Sequence, residues 1–246
     1  MELAEALGAE GGVVSVVGAG GKKSTLYRLA DELDRTVVTA TVRIPIFDEH
    51  VARVVTATDP RDALEAVSPT DWPLGLVPER ERDDRYLGYE PARIDALSDH
   101  PAVGTVVVKA DGARMRLIKA PNEREPRIPT SSSVVVPVAS VHAIGEPLED
   151  DVAHRVERVG AISGLVRGDP ITPEAVAAVI ASPDGGHRGV PAEATVVPVL
   201  NMVDDATLER VARRAAAAIL ERCDAPRVVL TQLTSSDPVV DVVVRN

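Results

Sequence analysis

The chain has 246 residues, a single cysteine and a formal charge of −11. Its length suits one domain, or one domain with an insertion, and one cysteine excludes an intramolecular disulfide or a cysteine-built metal cage. The acidic balance, with no basic stripe, speaks against a nucleic-acid partner, and the absence of a long apolar run or a basic-plus-apolar leader against a membrane span or export. A cytoplasmic protein is therefore expected. Only four of the 27 cations are lysines, Lys22, Lys23, Lys109 and Lys119, and they fall in just two segments.

The first strand-like run, at 13–17, leads into Gly18-Ala19-Gly20-Gly21-Lys22-Lys23-Ser24-Thr25 and a helical pattern over 22–33. Glycines permit a tight turn and leave room for an anion, and a helix N-terminus presents unpaired N–H groups and the positive end of its dipole. The loop is a short form of the phosphate-binding loop, G-x-x-G-K rather than GxxxxGK[ST], and resembles that of the Mur ligases. Lys22 is expected to contact phosphates, and Gly18 to Thr25 to line a nucleotide. Lys23 stands where a magnesium-binding hydroxyl usually follows the lysine, so Ser24 is the candidate for that task.

A second run at 36–41 ends near Thr39, Thr41 and Arg43, which could line the γ-phosphate side or be ordinary strand-end residues. A short helix is expected at 61–67. The stretch 69–101, rich in Pro, Asp and Arg, breaks the rhythm and reads as an excursion or lid. The run at 103–109 ends on Lys109-Ala110-Asp111-Gly112, which places Asp111 at a strand's carboxyl end, where it could hold Mg2+ or simply form an Asp-Gly turn. Residues 112–132 read as a functional loop in which Arg114 and Lys119, beside Arg116, Arg124 and Arg127, could attract an anion or substrate.

Further strands are expected at 133–138, 194–200, 227–231 and 239–244, and helices at 152–163, 173–182 and 205–223. After 194–200 comes Asn201-Met202-Val203-Asp204, spaced like the N-K-x-D guanine-reading sequence with Met202 in the lysine's place. Asp204 could read a base or cap the following helix. Continuous β-branched runs alternating with helices imply an α/β fold of three layers, P-loop NTPase-like, with a mostly parallel sheet and helices on both faces. The whole of 1–246 is expected to be one such domain.

Together VVGAGGKKSTL (16–26), VVTATVRIP (37–45), KADGARMRLIKAPNEREPRIP (109–129), VPVASVHAIGEPL (136–148) and VVPVLNMVD (196–204) resemble the YqeC-like family of selenium-dependent hydroxylase accessory proteins. The resemblance implies a nucleotide-dependent role in maturing a molybdenum hydroxylase, with ATP or GTP and Mg2+ as cofactors and the hydroxylase or its cofactor as partner. By match, Lys22 takes the loop-lysine role, Asp111 that of the metal-side acid, Lys119 that of the Lys-Ala-Pro lysine, and His154-Arg155 that of a His-Arg pair. Lys23, Arg43, Lys109 and Met202 depart from the family pattern, and Lys109 reverses a charge beside the expected metal. The expectation is nucleotide binding with Mg2+-dependent hydrolysis, catalysed by Lys22 and Asp111. The alternatives are a small-molecule kinase or ligase, and a non-hydrolysing nucleotide- or cofactor-binding module.

Overall fold

The computed structural model describes residues 1–245. Ten strands form one sheet: β1 (Gly12–Gly18), β2 (Thr36–Ala40), β3 (Arg53–Thr56), β4 (Leu74–Val77), β5 (Thr105–Lys109), β6 (Ser132–Ser140), β7 (Thr195–Val196), β8 (Val199–Asn201), β9 (Arg227–Thr231) and β10 (Val239–Val244). Their order is β10-β9-β8-β6-β1-β5-β2-β4-β3, with β7 paired to β6. Every pair is parallel except β9 with β10. The expected α/β architecture, mostly parallel with flanking helices, is what the chain adopts.

The central strands are buried on both faces, which is why they read as unbroken valine-rich runs rather than alternating ones. All five residues of β2 and of β5 are buried. Successive side chains nonetheless separate into two cores, as a pleated strand requires. Val14, Val16, Val38 and Val107 pack with α1 (Leu3–Leu7) and α2 (Lys22–Glu32) on one face. Val13, Val37, Val106 and Val108 pack on the other with α3 (Pro60–Leu64) and α4 (Pro91–Asp95). That second face continues under α5 (Val156–Ser163), α6 (Pro173–Ala181) and α7 (Ala206–Arg222), which cover Ala139, Leu200, Val228 and Leu230.

The stretch 69–101 is built into this frame rather than set apart from it. Leu74–Val77 is a fully buried strand between β2 and β3, and Arg80–Arg82 and Arg85–Tyr86 join Ile44–Pro45 in a small antiparallel sheet. The reading of the whole stretch as an excursion is corrected accordingly. Four residues of strand interrupted by Gly75 and flanked by Pro73 are too short for periodicity to reveal. Residues 112–132 are mostly loop, pinned where Ile118–Lys119 pairs with Ala153–His154.

The register brings chemistry to one edge. From β1 the chain crosses to β2 on one side and later to β6 on the other, so ligand-sized space opens at the carboxyl ends beside β1. Val16 lies opposite Lys109, Gly18 opposite Val138, and Ser140 opposite Asn201.

Candidate functional site

The glycine turn between β1 and α2 sits at that edge. Gly20 has φ +72°, and a Cβ there would lie 2.6 Å from the Ser140 backbone nitrogen; at Gly21, with φ +154°, it would lie 2.5 Å from Asn201 Nδ2. These glycines are therefore demanded by close packing on β6 and β8 as well as by backbone conformation. Asn201 clamps the turn from behind: its Nδ2 donates to Gly20 O at 2.9 Å, while its Oδ1 accepts from Thr231 Oγ1 and Leu233 N at 3.1 and 3.3 Å. Ala19 N donates to Val138 O at 2.8 Å. The amides of Gly20, Gly21, Lys22, Lys23 and Ser24 have no acceptor among the described residues, and α2 has no side-chain N-cap. A helix of 11 residues thus begins with open donors and the positive end of its dipole.

Beneath the turn lies a buried charge cluster. Asp111 Oδ2 accepts from Gly18 N at 2.9 Å and meets Lys119 Nζ at 2.8 Å. Its Oδ1 lies 3.1 Å from Lys22 Nζ, yet at an angle that leaves Oδ1 without a hydrogen bond. We read this as an ion pair with a spare lone pair. Lys22 Nζ also donates to Gly18 O. Lys119 continues to Glu125 Oε2 at 3.0 Å and to Gly112 O at 2.7 Å, and Arg155 reaches the same Glu125 oxygen at 3.0 Å. Burial alone would raise the Asp111 carboxyl; the two lysines and the Gly18 amide outweigh it and hold it below its ordinary value. Burial drives Lys22 down against the pull of Asp111.

Lys109 stands apart from these pairs. It is 7% exposed at the end of β5, and its side chain's one hydrogen bond among the described residues runs from Nζ to Arg43 O at 2.9 Å. Burial, followed by repulsion from Lys22, pushes it down to about 7. An ammonium held with so little compensation carries a desolvation cost that the fold alone does not require.

The turn opens on a cavity of about 790 Å³. Its wall carries Lys22, Lys23, Lys109 and six arginines, at 43, 85, 114, 116, 124 and 127, against one acid, Glu125. Apolar surface comes from Val42, Pro45, Leu87, Ala113, Leu117 and the methionines Met115 and Met202. Arg114, Met115 and Met202 all hold positive φ, 48°, 63° and 65°, so non-glycine backbone strain gathers at this wall. Arg43 is paired in bidentate fashion with Glu81, Arg127 makes a single contact with Glu90 and Arg85 one with Asp84, whereas the Arg114, Arg116 and Arg124 side chains have no ion pair among the described residues.

The expected site residues divide accordingly. Gly20, Gly21, Lys22, Lys23, Ser24 and Arg114 line the cavity. Gly18 and Ala19 shape the turn, and Thr25 is buried with Oγ1 turned to Gly21 O at 3.2 Å. Lys119, expected in a loop that attracts an anion or substrate, is an internal counter-ion with its side chain 1% exposed. Thr39 is buried, donates to Leu76 O at 2.7 Å and lies off the cavity wall, while Thr41 and Arg43 do reach the cavity. Asn201 braces the loop, and Asp204 lies off the cavity wall, exposed and 2.8 Å from His142 Nε2. The cap of α7 is Asp205, which accepts from Thr207 N and Leu208 N at 2.7 and 2.9 Å; the capping role expected of Asp204 moves by one residue. His154 is pushed down to about 4, first by burial and then by Arg155 and Lys119, so it is neutral near pH 7. Cys223 is a half-buried thiol donating to Ile219 O at the end of α7.

Arg85, Leu87 and Gly88 went unnoticed in the sequence because they fold in from the small antiparallel sheet, with only a charged stretch to mark them.

The expected magnesium ligands do not fit a divalent cation. Both Asp111 oxygens face an ammonium group, the Glu125 oxygens are taken by Lys119, Arg155 and the Gly112 amide, and Ser24 supplies only a neutral hydroxyl. No group of three or more His, Cys, Asp or Glu able to hold a metal occurs among the described residues. No helix among them is long and apolar enough to cross a membrane.

A mostly parallel sheet whose first strand runs through a glycine turn into an uncapped helix, facing a cationic cavity, defines a P-loop-like α/β protein. Within that class the chain belongs to the YqeC family. The family model described as YqeC protein matches residues 14–157, which include the turn, Asp111, Lys119 and His154-Arg155. The protein "Uncharacterized protein YqeC" of Escherichia coli (strain K12) is 32% identical over 183 residues, covering 73% of this chain and 71% of that protein. No solved structure matches the chain.

Proposed function

We propose that this protein binds a nucleoside triphosphate, ATP or GTP, with the phosphates against Gly20 to Ser24 and the rest of the molecule along the arginine-bearing wall. One observation carries the reading: the five residues with open amides at the start of α2 line a cavity with nine cationic side chains and one acid, in a chain of net charge −11. Concentrating positive charge against the sign of the whole molecule makes a sink for a polyanion. Apolar patches at Val42, Leu87, Met115 and Met202 offer a surface for a base or other flat ring.

In this reading Lys22 leaves Asp111 to meet a phosphate, and the open amides bind oxygens through the dipole end of α2. Asp111 stores Lys22 and Lys119 in place until then. Any phosphoryl chemistry would act by positioning and charge neutralisation, the terms that dominate such reactions. The engagement of Asp111 by two lysines favours the second reading, a binding module without hydrolysis. A role in maturing a molybdenum hydroxylase follows from the family resemblance and forms part of the proposal.

Calorimetric titration of ATP and GTP into the wild-type chain and into Lys22→Ala tests the reading. Saturable binding that weakens by about tenfold or more in the variant supports it, in line with loss of a charge-assisted phosphate contact. Absence of binding, or binding indifferent to Lys22, sinks it. Turnover measured on the same samples separates hydrolysis from simple binding.

A further inference from the structure

We propose that the site takes its polyphosphate as the free polyanion, not as a magnesium complex, with Lys109 supplying neutralising charge directly. The inference rests on the nucleotide reading above and adds the chemical form of the ligand and a further binding residue.

Three observations carry it. First, each carboxylate at the site already faces two cations: Asp111 has Lys22 and Lys119, and Glu125 has Lys119 and Arg155. A divalent cation placed on either would have to displace an ammonium or guanidinium, and even on the Asp111 oxygen that Lys22 gives up it would sit beside Lys119, which keeps the other oxygen. Second, Lys109, at the end of β5, and Lys22, the first residue of α2 just beyond the neighbouring β1, both open on the cavity. Third, Lys109 has neither a carboxylate partner nor a structural task beyond one bond to Arg43 O. A buried cation kept without a counter-ion on the wall of a cavity is matched best by an anion that enters from solution. The three arginines without an ion pair, Arg114, Arg116 and Arg124, add to the same field on the cavity wall.

The chemistry that satisfies this arrangement is a di- or triphosphate chain carrying its full charge. A magnesium complex presents less negative charge to the same cations and brings a second positive ion against them. The full-length chain is titrated calorimetrically with ATP and with GTP, once in EDTA and once in excess Mg2+. Lys109→Met and Lys109→Arg are titrated in EDTA, with circular dichroism confirming that both are folded.

The expected result is saturable binding in EDTA that Mg2+ leaves unchanged or weakens several-fold. Lys109→Met should lose about tenfold or more in affinity, and Lys109→Arg should recover part of it, since the charge returns in a different shape. Binding that needs Mg2+, or tightens tenfold in it, overturns the inference while leaving nucleotide binding standing. Binding in EDTA that ignores Lys109→Met overturns the part assigned to Lys109. Absence of binding in both media instead refutes the nucleotide reading beneath it.

Discussion

Replacing Lys109 by methionine should stabilise the fold near neutral pH while weakening its ligand binding. The gap between the ordinary 10.5 of a lysine and the value of about 7 imposed here corresponds to roughly 5 kcal/mol at about 1.4 kcal/mol per pH unit. Because the folded value is depressed, the unfolded chain binds more protons than the folded one between pH 7 and 10.5. Wild-type stability should therefore rise with pH across that window as far as this group is concerned. At pH 7 the cost is still nearly whole, about 4 kcal/mol by the same linkage. Methionine fills a similar volume without the charge but leaves the Arg43 carbonyl unpaired, a loss of about 1 kcal/mol. We expect Lys109→Met to gain roughly 2–3 kcal/mol at pH 7 and to lose most of that advantage by pH 10. Urea unfolding of both proteins at pH 7 and pH 10 measures it. A variant less stable than wild type at pH 7, or a difference that does not shrink at pH 10, would refute the claim that Lys109 is a charge held at the expense of the fold.

Asp111→Asn should act in the opposite direction, since it leaves Lys22 buried without its anion and Lys119 with Glu125 alone; a loss of about 3 kcal/mol in urea unfolding is expected. The folded value of Asp111 lies below 3.8, so its contribution is present above about pH 4 and vanishes as the pH falls through the folded value. Acid titration of stability should show that limb in wild type and lack it in Asp111→Asn. Asn201→Ala strips the clamp from Gly20 O, and should cost about 1–3 kcal/mol and speed hydrogen exchange at Ala19 and Thr25; unchanged exchange would mean that the turn stands without the clamp. Arg114→Ala should weaken ATP binding several-fold with unfolding unchanged within about 0.5 kcal/mol, because the side chain lines the cavity and packs into no core. Asp204→Ala should leave both stability and the ratio of ATP to GTP affinity unaltered, and a lost GTP preference would restore the base-reading role to that residue.

Much of the fold was legible because the strands that matter are long, buried on both faces and rich in valine. The runs at 227–231 and 239–244 coincide with β9 and β10, and the helical patterns at 173–182 and 205–223 overrun α6 and α7 by only one residue at an end. Strands of two to four residues, such as Leu74–Val77 and Arg53–Thr56, were lost because so short a stretch shows no period and its pairing is decided by the neighbouring strands. The turn was legible from its glycines, and Asp111 from the strand that ends just before it. The fate of Lys119 was not, since a lysine in a charged loop gives no sign that the loop will fold back under β1. Asn201 shows the same limit: its spacing suggests recognition, whereas its position opposite Ser140 and Thr231 turns its amide toward Gly20. Arg85 reaches the cavity only because Arg80–Arg82 and Arg85–Tyr86 fold into a small sheet with Ile44–Pro45, a long-range pairing that no local pattern announces.

The start of α2 as a phosphate site is the claim on which the rest depends, and amide NMR reports on it directly. In a 15N-labelled sample titrated with ATP, the largest saturable shifts should fall on Gly20, Gly21, Lys22, Lys23 and Ser24, with smaller ones along Arg114 and Met115. Saturable shifts elsewhere with those five amides unmoved, or no saturable shift at all, would contradict it.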